Sequence, residues 1–173
     1  DVEIGIARTL PAFEGREPIR EVERLYLDSI AAAQQFIYIE NQYLTSQKIS
    51  EALIAKLQEK NGPEIVIVMP RETGGWLEQH TMDVLRARLV QQLRNADEYD
   101  RLRIYFVGLG GEPTVALMVH AKFMVIDDCF LRVASSNLSD RSMGLDAECD
   151  LAITCEAGGA HTAAIRAIRH SLL

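Results

Sequence analysis

The sequence lacks an apolar run of the roughly 18 residues that a membrane-spanning helix needs, and it shows no signal-peptide pattern. Cysteine is scarce: Cys129, Cys149 and Cys155 form no CxxC pair, so reduced, partly buried thiols are predicted rather than a redox or metal site. Positive charge is also short, with 18 Lys and Arg against 25 Asp and Glu. The net charge of −7 argues against general binding to nucleic acid, which depends on many cationic contacts, but leaves room for a local basic pocket.

The first two-thirds of the chain alternates between two kinds of apolar pattern. Runs of strand length and composition occupy 2–9, 36–44, 64–70 and 101–109, and helical spacing occupies 18–35, 46–61 and 77–96. With 173 residues, of which 48% are hydrophobic, the chain is long enough for one sizeable core. This alternation predicts an α/β sandwich, with a mixed, mostly parallel central sheet and helices on both of its faces.

The last third changes character. Two strands are predicted over 115–127 and 129–136, joined by a tight turn at Asp127-Asp128. A loop or short helical turn follows at 139–148, then a strand over 149–156 and a C-terminal helix from about residue 160. The hairpin introduces antiparallel pairing, which is why the sheet is predicted to be mixed.

Polar side chains interrupt these last strands in a way that suggests a site. His120 and Lys122 share one face if their run is a strand, and Ser135 and Asn137 follow at the same period of two on the next strand. Glu148 opens the strand after that. Charged groups on a core strand need partners or a ligand, so these five residues are expected to converge.

The residue types suit phosphoryl transfer. An imidazole serves as nucleophile, acid or base near neutral pH, and a lysine neutralises phosphate oxygens in the transition state. Asn and Ser add neutral donors, and a glutamate beside a histidine fixes its tautomer. The histidine and the lysine take over what a metal would supply, so no cofactor and no metal are predicted.

The same residues resemble a known family. The HxKxxxxD signature of the phospholipase D superfamily matches His120-x-Lys122-x4-Asp127, followed by Ser135-x-Asn137, Arg141-Ser142 and Glu148. The segment FIYIENQYL (36–44) is similar to the IYIENQYF segment in the C-terminal half of phospholipase D enzymes, and the opening IARTLP followed by a helix is also typical there. One departure is Ala134, where the family usually has glycine, and a slightly altered backbone approach is expected from it.

This resemblance implies the phospholipase D-like α/β/α fold and cleavage of phosphodiesters through a phosphohistidine. Two HxKxxxxD motifs build one active site in such enzymes: one histidine attacks phosphorus, and the other protonates the leaving alcohol and then activates water or an acceptor alcohol. By analogy His120 is the general acid and base, with the reverse assignment open. Lys122 and Asn137 would hold phosphate, and Ser135 and Glu148 would support the partner half's histidine. Asp127 belongs to the catalytic motif but is expected to anchor it.

The chain holds one such motif, because His80, His161 and His170 have no lysine two residues on. A second half is therefore needed. The opening at Asp1 and the IENQYL block favour residues 1–173 as one domain excised from a longer two-motif protein. The main prediction is hydrolysis or transphosphatidylation of phospholipid at a membrane surface, with a cytoplasmic or peripheral membrane location. The alternatives are a homodimeric nuclease-like phosphodiesterase, although nucleic acid is not favoured, and a non-catalytic structural half.

Two further segments have open roles. Glu40 and Asn41, in the IENQ stretch, are candidate pocket contacts, with a structural strand end as the alternative. The glycine-rich segment 71–76 ends in the sole tryptophan and could line a headgroup pocket or enter lipid. A surface loop whose tryptophan packs back on the core is favoured there.

Overall fold

The computed structural model describes residues 2–72, 76–110, 115–156, 158–159 and 161–172, with backbone alone at 76–81 and 115–116. The strands are β1 (Gly5–Leu10), β2 (Ile19–Arg20), β3 (Phe36–Asn41), β4 (Glu64–Met69), β5 (Leu102–Phe106), β6 (Gly108–Leu109), β7 (Val115–Ala116), β8 (Lys122–Ile126), β9 (Phe130–Ala134) and β10 (Glu148–Thr154). The helices are α1 (Glu21–Ala32), α2 (Gln47–Gln58), α3 (Trp76–Ala96), α4 (Asp140–Gly144) and α5 (Thr162–Leu172). Residues 73–75 of the loop predicted at 71–76 lie outside the described residues, and Trp76 begins α3.

Eight strands form one sheet in the order β2-β1-β10-β9-β8-β3-β4-β5, and β6 and β7 form a separate pair. The sheet is mixed, as predicted, but the prediction that it is mostly parallel was wrong. β3, β4 and β5 pair in parallel, whereas the other five pairings are antiparallel. α2 and α3 each connect two strands that pair in parallel. α1 leads instead from β2 to β3, which lie far apart in the sheet and do not pair, so this connection adds no parallel pairing.

Helices cover both faces of the sheet, which confirms the α/β sandwich. Alternate residues of β3 point to opposite sides. Ile37 and Ile39 join a core with apolar residues of α1, α2 and α3, whereas Tyr38 packs on the other side with Ile165 of α5. In α2 the core-facing residues Ile49, Leu53 and Leu57 recur every four positions, as the sequence pattern indicated.

The strand predicted over 115–127 is broken in two. Val115–Ala116 pairs with Gly108–Leu109 in the small separate sheet, and β8 begins at Lys122. His120 therefore lies just before β8 rather than on it. Similarly, β9 ends at Ala134, so Ser135 and Asn137 follow the strand. The predicted boundaries were too generous because apolar side chains continue past the point where strand pairing stops.

The tight turn predicted at Asp127-Asp128 is confirmed. Both residues have a φ of 54°, a left-handed conformation that aspartate tolerates better than most residues. The turn is closed by the Cys129 N–H, which donates to the Ile126 carbonyl at 3.0 Å. The Asp128 carboxylate is buried, and it accepts hydrogen bonds from Arg166 and Arg169 of α5. The turn thus ties the hairpin to the last helix.

Candidate active site at one edge of the sheet

The predicted site residues gather where several strands begin or end at the same edge of the sheet. Antiparallel pairing places Lys122, the first residue of β8, opposite Asn41, the last residue of β3. It also places Glu148, the first residue of β10, opposite Thr9 near the end of β1. We call these strand ends, together with the residues directly beside them, the site edge. It carries His120, Lys122, Ser135, Asn137, Glu148 and Asn41.

Lys122 and His120 are in direct contact. The Lys122 Nζ donates to the His120 carbonyl oxygen at 2.9 Å and lies 3.5 Å from His120 Nδ1. Since an ammonium group can only donate, Nδ1 is the acceptor in this contact. Burial lowers the pKa of Lys122, and the negative charge of Glu148 opposes that shift. Glu148 is therefore close enough to act on the lysine electrostatically, while the His120 side chain stays exposed.

Ser135 and Glu148 form a second pair at the site edge. The Ser135 hydroxyl donates to the Glu148 carboxylate and accepts the Cys149 N–H at 3.0 Å. The backbone of Ser135 also donates to the Cys149 carbonyl at 3.3 Å. These contacts fix the residue that follows β9 against the start of β10, which leaves the remaining lone pairs of the carboxylate available to a cationic group.

Asn41 and Asn137 each carry a buried amide atom that has no hydrogen-bond partner among the described residues. Asn41 is 1% exposed, and its Oδ1 accepts the N–H groups of Tyr43 and Leu138, both at 3.1 Å. Its Nδ2, like Oδ1 of Asn137, is buried and makes no hydrogen bond within the described part of the chain. The Asn137 N–H donates to the Ser142 hydroxyl at 3.0 Å. Both atoms are enclosed by protein, so neither is open to a ligand in this structure.

Two predicted site residues lie elsewhere. Asp127 is at the opposite end of β8 from Lys122, five residues or about 16 Å along the strand. Its carboxylate accepts the N–H groups of residues 34–36 at 2.7–2.8 Å. These contacts fit the expected anchoring position, and a part for Asp127 in catalysis stays a prediction. These bonds hold the start of β3 to the hairpin turn.

Glu40, the other candidate pocket contact in the IENQ stretch, does not join the site edge. Successive residues of β3 face opposite sides, so Glu40 points away from Asn41 and Lys122. Its carboxylate accepts the Tyr38 hydroxyl at 2.5 Å. Burial raises the pKa of Tyr38, and the hydrogen bond and charge of Glu40 add to that shift. The alternative interpretation, a structural role at the strand end, fits Glu40.

Sequence reasoning missed several residues of the site edge and its support. Gln42 accepts from Lys122 Nζ at 3.3 Å through Oε1, although the residue lies inside the IENQ stretch. Directly beneath the edge lies a buried ion pair between Arg132 and Asp150. Lys122 was predicted as a site residue because it is a charged residue in an apolar run, and Arg132 also stands in such a run. Its partner is 18 residues away and could not be assigned from spacing.

Two further observations concern metal binding and membrane spanning. Within the described ranges, no group of three or more His, Cys, Asp or Glu side chains is arranged to hold a metal ion. The expectation that the reaction needs no metal or cofactor stays a prediction. Nor does any described helix have the length and apolar character to cross a bilayer.

Comparison with known proteins identifies the family. A family model described as "Cardiolipin synthase, PLD-like domain" matches residues 26–166. The chain therefore belongs to the family of phospholipase D-like domains.

Curated relatives are consistent with this family. Phospholipase D zeta 2 of Arabidopsis thaliana is 30% identical over 166 residues, covering 73% of this chain and 16% of that protein. Phospholipase D of Phytophthora infestans is 24% identical over 191 residues, covering 88% of this chain and 11% of that protein. The chain thus spans less than a fifth of either relative.

Solved structures support the fold. Nuc, a phospholipase D family member from Salmonella typhimurium, superposes with a TM-score of 0.66 at 15% identity, covering 98% of this chain and 91% of that one. Phosphatidylserine synthase from Haemophilus influenzae gives a TM-score of 0.69 at 18% identity, covering 97% of this chain and 37% of that one. At such identities the similarity establishes the fold alone.

Proposed function

We propose that this chain is one half of a phosphodiesterase of the phospholipase D type, which hydrolyses phospholipid or transfers its phosphatidyl group. The observation that carries the proposal is the contact of His120 with Lys122 at the site edge, with the Ser135–Glu148 pair nearby. Among the described residues no carboxylate lies within hydrogen-bonding distance of the Lys122 ammonium, so this half-buried cation is suited to receive an anion. The phosphate of a diester is such an anion.

The proposed reaction uses two histidines. One imidazole nitrogen attacks phosphorus while the bond to the leaving alcohol breaks, and the second histidine gives that alcohol its proton. The second histidine then removes a proton from water or an acceptor alcohol, whose oxygen attacks phosphorus and releases the first histidine. Lys122 and Asn137 hold the phosphate oxygens. Ser135 and Glu148 orient the histidine of the other half, and His120 serves as acid and base.

The second half has a surface on which to pack. On the sheet face opposite α1 to α3, the register aligns Ile6, Leu151, Val133 and Phe123 in one row across four strands. We call this the apolar row. Ile6 is 64%, Leu151 44% and Val133 53% exposed. The row adjoins the site edge, because Phe123 directly follows Lys122. We propose that a second HxKxxxxD half, within a longer chain, covers it.

The proposed substrate is phospholipid at a membrane surface, reached by a peripherally associated protein. Several curated relatives are named phospholipase D, and a structural neighbour is a phosphatidylserine synthase. A homodimeric, nuclease-like arrangement is the second candidate, since Nuc matches this chain over nearly its full length. Turnover by the isolated chain as a dimer, on a soluble phosphodiester, would favour that candidate. An inert structural half would bind neither phosphate nor vanadate.

The test is His120→Asn in the full-length protein. We expect turnover of phospholipid to fall by well over the roughly 10²–10⁴ that a dispensable general acid contributes, because both histidines are needed for each cycle. The matched control is His170→Asn on the exposed surface of α5, which should retain activity. Near-normal turnover of His120→Asn would rule out the catalytic role.

A further inference from the structure

Arg132 is a large charged side chain that is almost completely inside the protein. It is 1% exposed, and its ion-pair partner Asp150 is 0% exposed. The Arg132 Nε donates to Asp150 Oδ2 at 3.0 Å, and its guanidinium carbon lies 3.7 Å from the centroid of the buried Tyr26 ring. Arginine is almost never fully buried unless it is paired, so this group is placed at a considerable desolvation cost.

The ion pair is connected to the backbone that bears the site residues. Asp150 Oδ1 accepts the Ser136 N–H at 3.2 Å, and Oδ2 accepts the Ser136 hydroxyl at 2.8 Å. The Arg132 Nη2 also contacts that hydroxyl oxygen. Ser136 stands between Ser135 and Asn137, and its side chain points into the core while they belong to the site edge.

The neighbouring backbone is held at every residue. The N–H groups of residues 135–138 donate, in chain order, to the Cys149 carbonyl (3.3 Å), the Asp150 carboxylate (3.2 Å), the Ser142 hydroxyl (3.0 Å) and the Asn41 amide oxygen (3.1 Å). Among these acceptors Asp150 alone is charged. It can act as a doubly accepting carboxylate in the core because Arg132 compensates its charge.

Stability does not explain such a pair. Replacing a buried ion pair with apolar residues of similar volume is often neutral or stabilising, whereas removing one partner is damaging. What the pair supplies is a fixed geometry. We propose that Arg132 is a positioning residue, which acts through Asp150 to hold Ser135 and Asn137 where phosphate is bound. The inference rests on the proposed function.

The experiment compares the wild-type chain with the double variant Arg132→Met/Asp150→Leu. Urea unfolding should show a folded protein whose stability is near or modestly below that of the wild type, because the buried Ser136 N–H and hydroxyl lose their acceptor. Amide hydrogen exchange at Ser136 and Asn137 should become at least tenfold faster, because the anchoring carboxylate is gone. Affinity for orthovanadate, measured by titration, should fall at least tenfold. Ile30→Val, a change in the same core, is the control: it lowers stability slightly and should leave vanadate affinity unchanged.

Arg132→Lys tests the same idea if the double variant does not fold. This substitution keeps the positive charge but loses the planar guanidinium group and its paired N–H donors. We therefore expect a partial loss of vanadate affinity and faster amide hydrogen exchange at Ser136. Wild-type affinity with wild-type exchange in either folded variant would overturn the proposal. If the wild-type chain itself binds no vanadate, the phosphate site fails. Exchange at Ser136 and Asn137 then still decides whether Arg132 positions this segment.

Discussion

At the scale of single residues, Lys122 places a positive charge in a half-buried position at the site edge. Its pKa is lowered by burial, so in the folded state the lysine binds its proton less readily than in the unfolded chain. Between the folded and unfolded pKa values the unfolded state holds more protons, and stability therefore rises with pH. Below the folded-state pKa the penalty is fully present, so the charged lysine is retained there at some expense in stability.

We therefore predict that Lys122→Gln keeps or gains stability, by about 0–1 kcal/mol once solvent screening is allowed for. Its affinity for orthovanadate should fall at least tenfold, because the cation is lost. Lys60→Gln on the exposed surface is the control for removing one positive charge. Chemical denaturation and a binding titration provide the two measurements. A clear loss of stability, with binding retained, would contradict this account of the site.

Asp127 differs from Lys122, since its contacts are with backbone alone among the residues described. Asn at this position removes the charge and cannot accept all three N–H groups from residues 34–36. We predict that Asp127→Asn lowers the free energy of unfolding by about 1–3 kcal/mol, with vanadate affinity nearly unchanged. Urea unfolding measures the first quantity.

Asp100→Asn is a matched control for Asp127→Asn. Asp100 also has a positive φ, of 53°, but its carboxylate forms a surface ion pair with Arg103. Exposed pairs of this kind contribute little, so a small change is expected. Equal effects of the two substitutions would mean that backbone conformation, rather than the anchoring bonds, accounts for the loss.

At the scale of elements, α5 is attached to the hairpin turn through Asp128. Burial raises the pKa of this carboxyl, but hydrogen bonds from Arg169 and Arg166 outweigh it, and the net shift is downward. A lowered pKa contributes stability above the unfolded value, which is about 3.9. That contribution disappears as the pH falls through the folded value.

We predict that the stability difference between wild type and Asp128→Asn is constant above about pH 5 and narrows below about pH 4. Thermal unfolding across this range provides the measurement. Hydrogen exchange in α5 should show the same trend, because protonation releases both arginines from the turn. A difference that does not change with pH would show that the ion pairs with Asp128 do not stabilise the docked helix.

The elements also show what the sequence could predict. The helix with core residues Ile49, Leu53 and Leu57, the apolar strand 64–69 and the Asp127-Asp128 turn all followed from local pattern. The direction of pairing did not, because β1 joins β10 across more than 130 residues and only packing decides that. Within the candidate site, His120, Lys122 and Glu148 could be singled out from the sequence as polar residues in or beside apolar runs. The choice between Glu40 and Asn41 required the pairing partner of β3.

At the scale of the whole molecule, the apolar row exposes large apolar side chains to solvent, as a surface that a partner covers would. We predict that Val133→Glu leaves the isolated chain folded but weakens association with the second half and lowers the activity of the assembled protein at least tenfold. Val133 is 53% exposed, so the folded chain tolerates a charge there better than an interface would. Sedimentation and phospholipid turnover report association and activity.

Val84→Glu is the corresponding control, since Val84 is 65% exposed on α3 and lies away from the row. It should leave both measurements unchanged. If Val133→Glu assembles and turns over substrate like the control, the second half packs on another surface.

The Asp127-Asp128 turn has a consequence for the order in which the chain folds. A two-residue turn with both residues already in the left-handed region brings β8 and β9 together early, since hairpins form within about 1–10 μs. The turn also sets Lys122 and Ser135, 13 positions apart in sequence, on the two free arms of that hairpin. Residues from both strands of the proposed phosphate site are thus brought together locally. We expect this hairpin to form before the chain closes the far larger loop between β1 and β10, so this part of the proposed site should assemble ahead of the complete sheet.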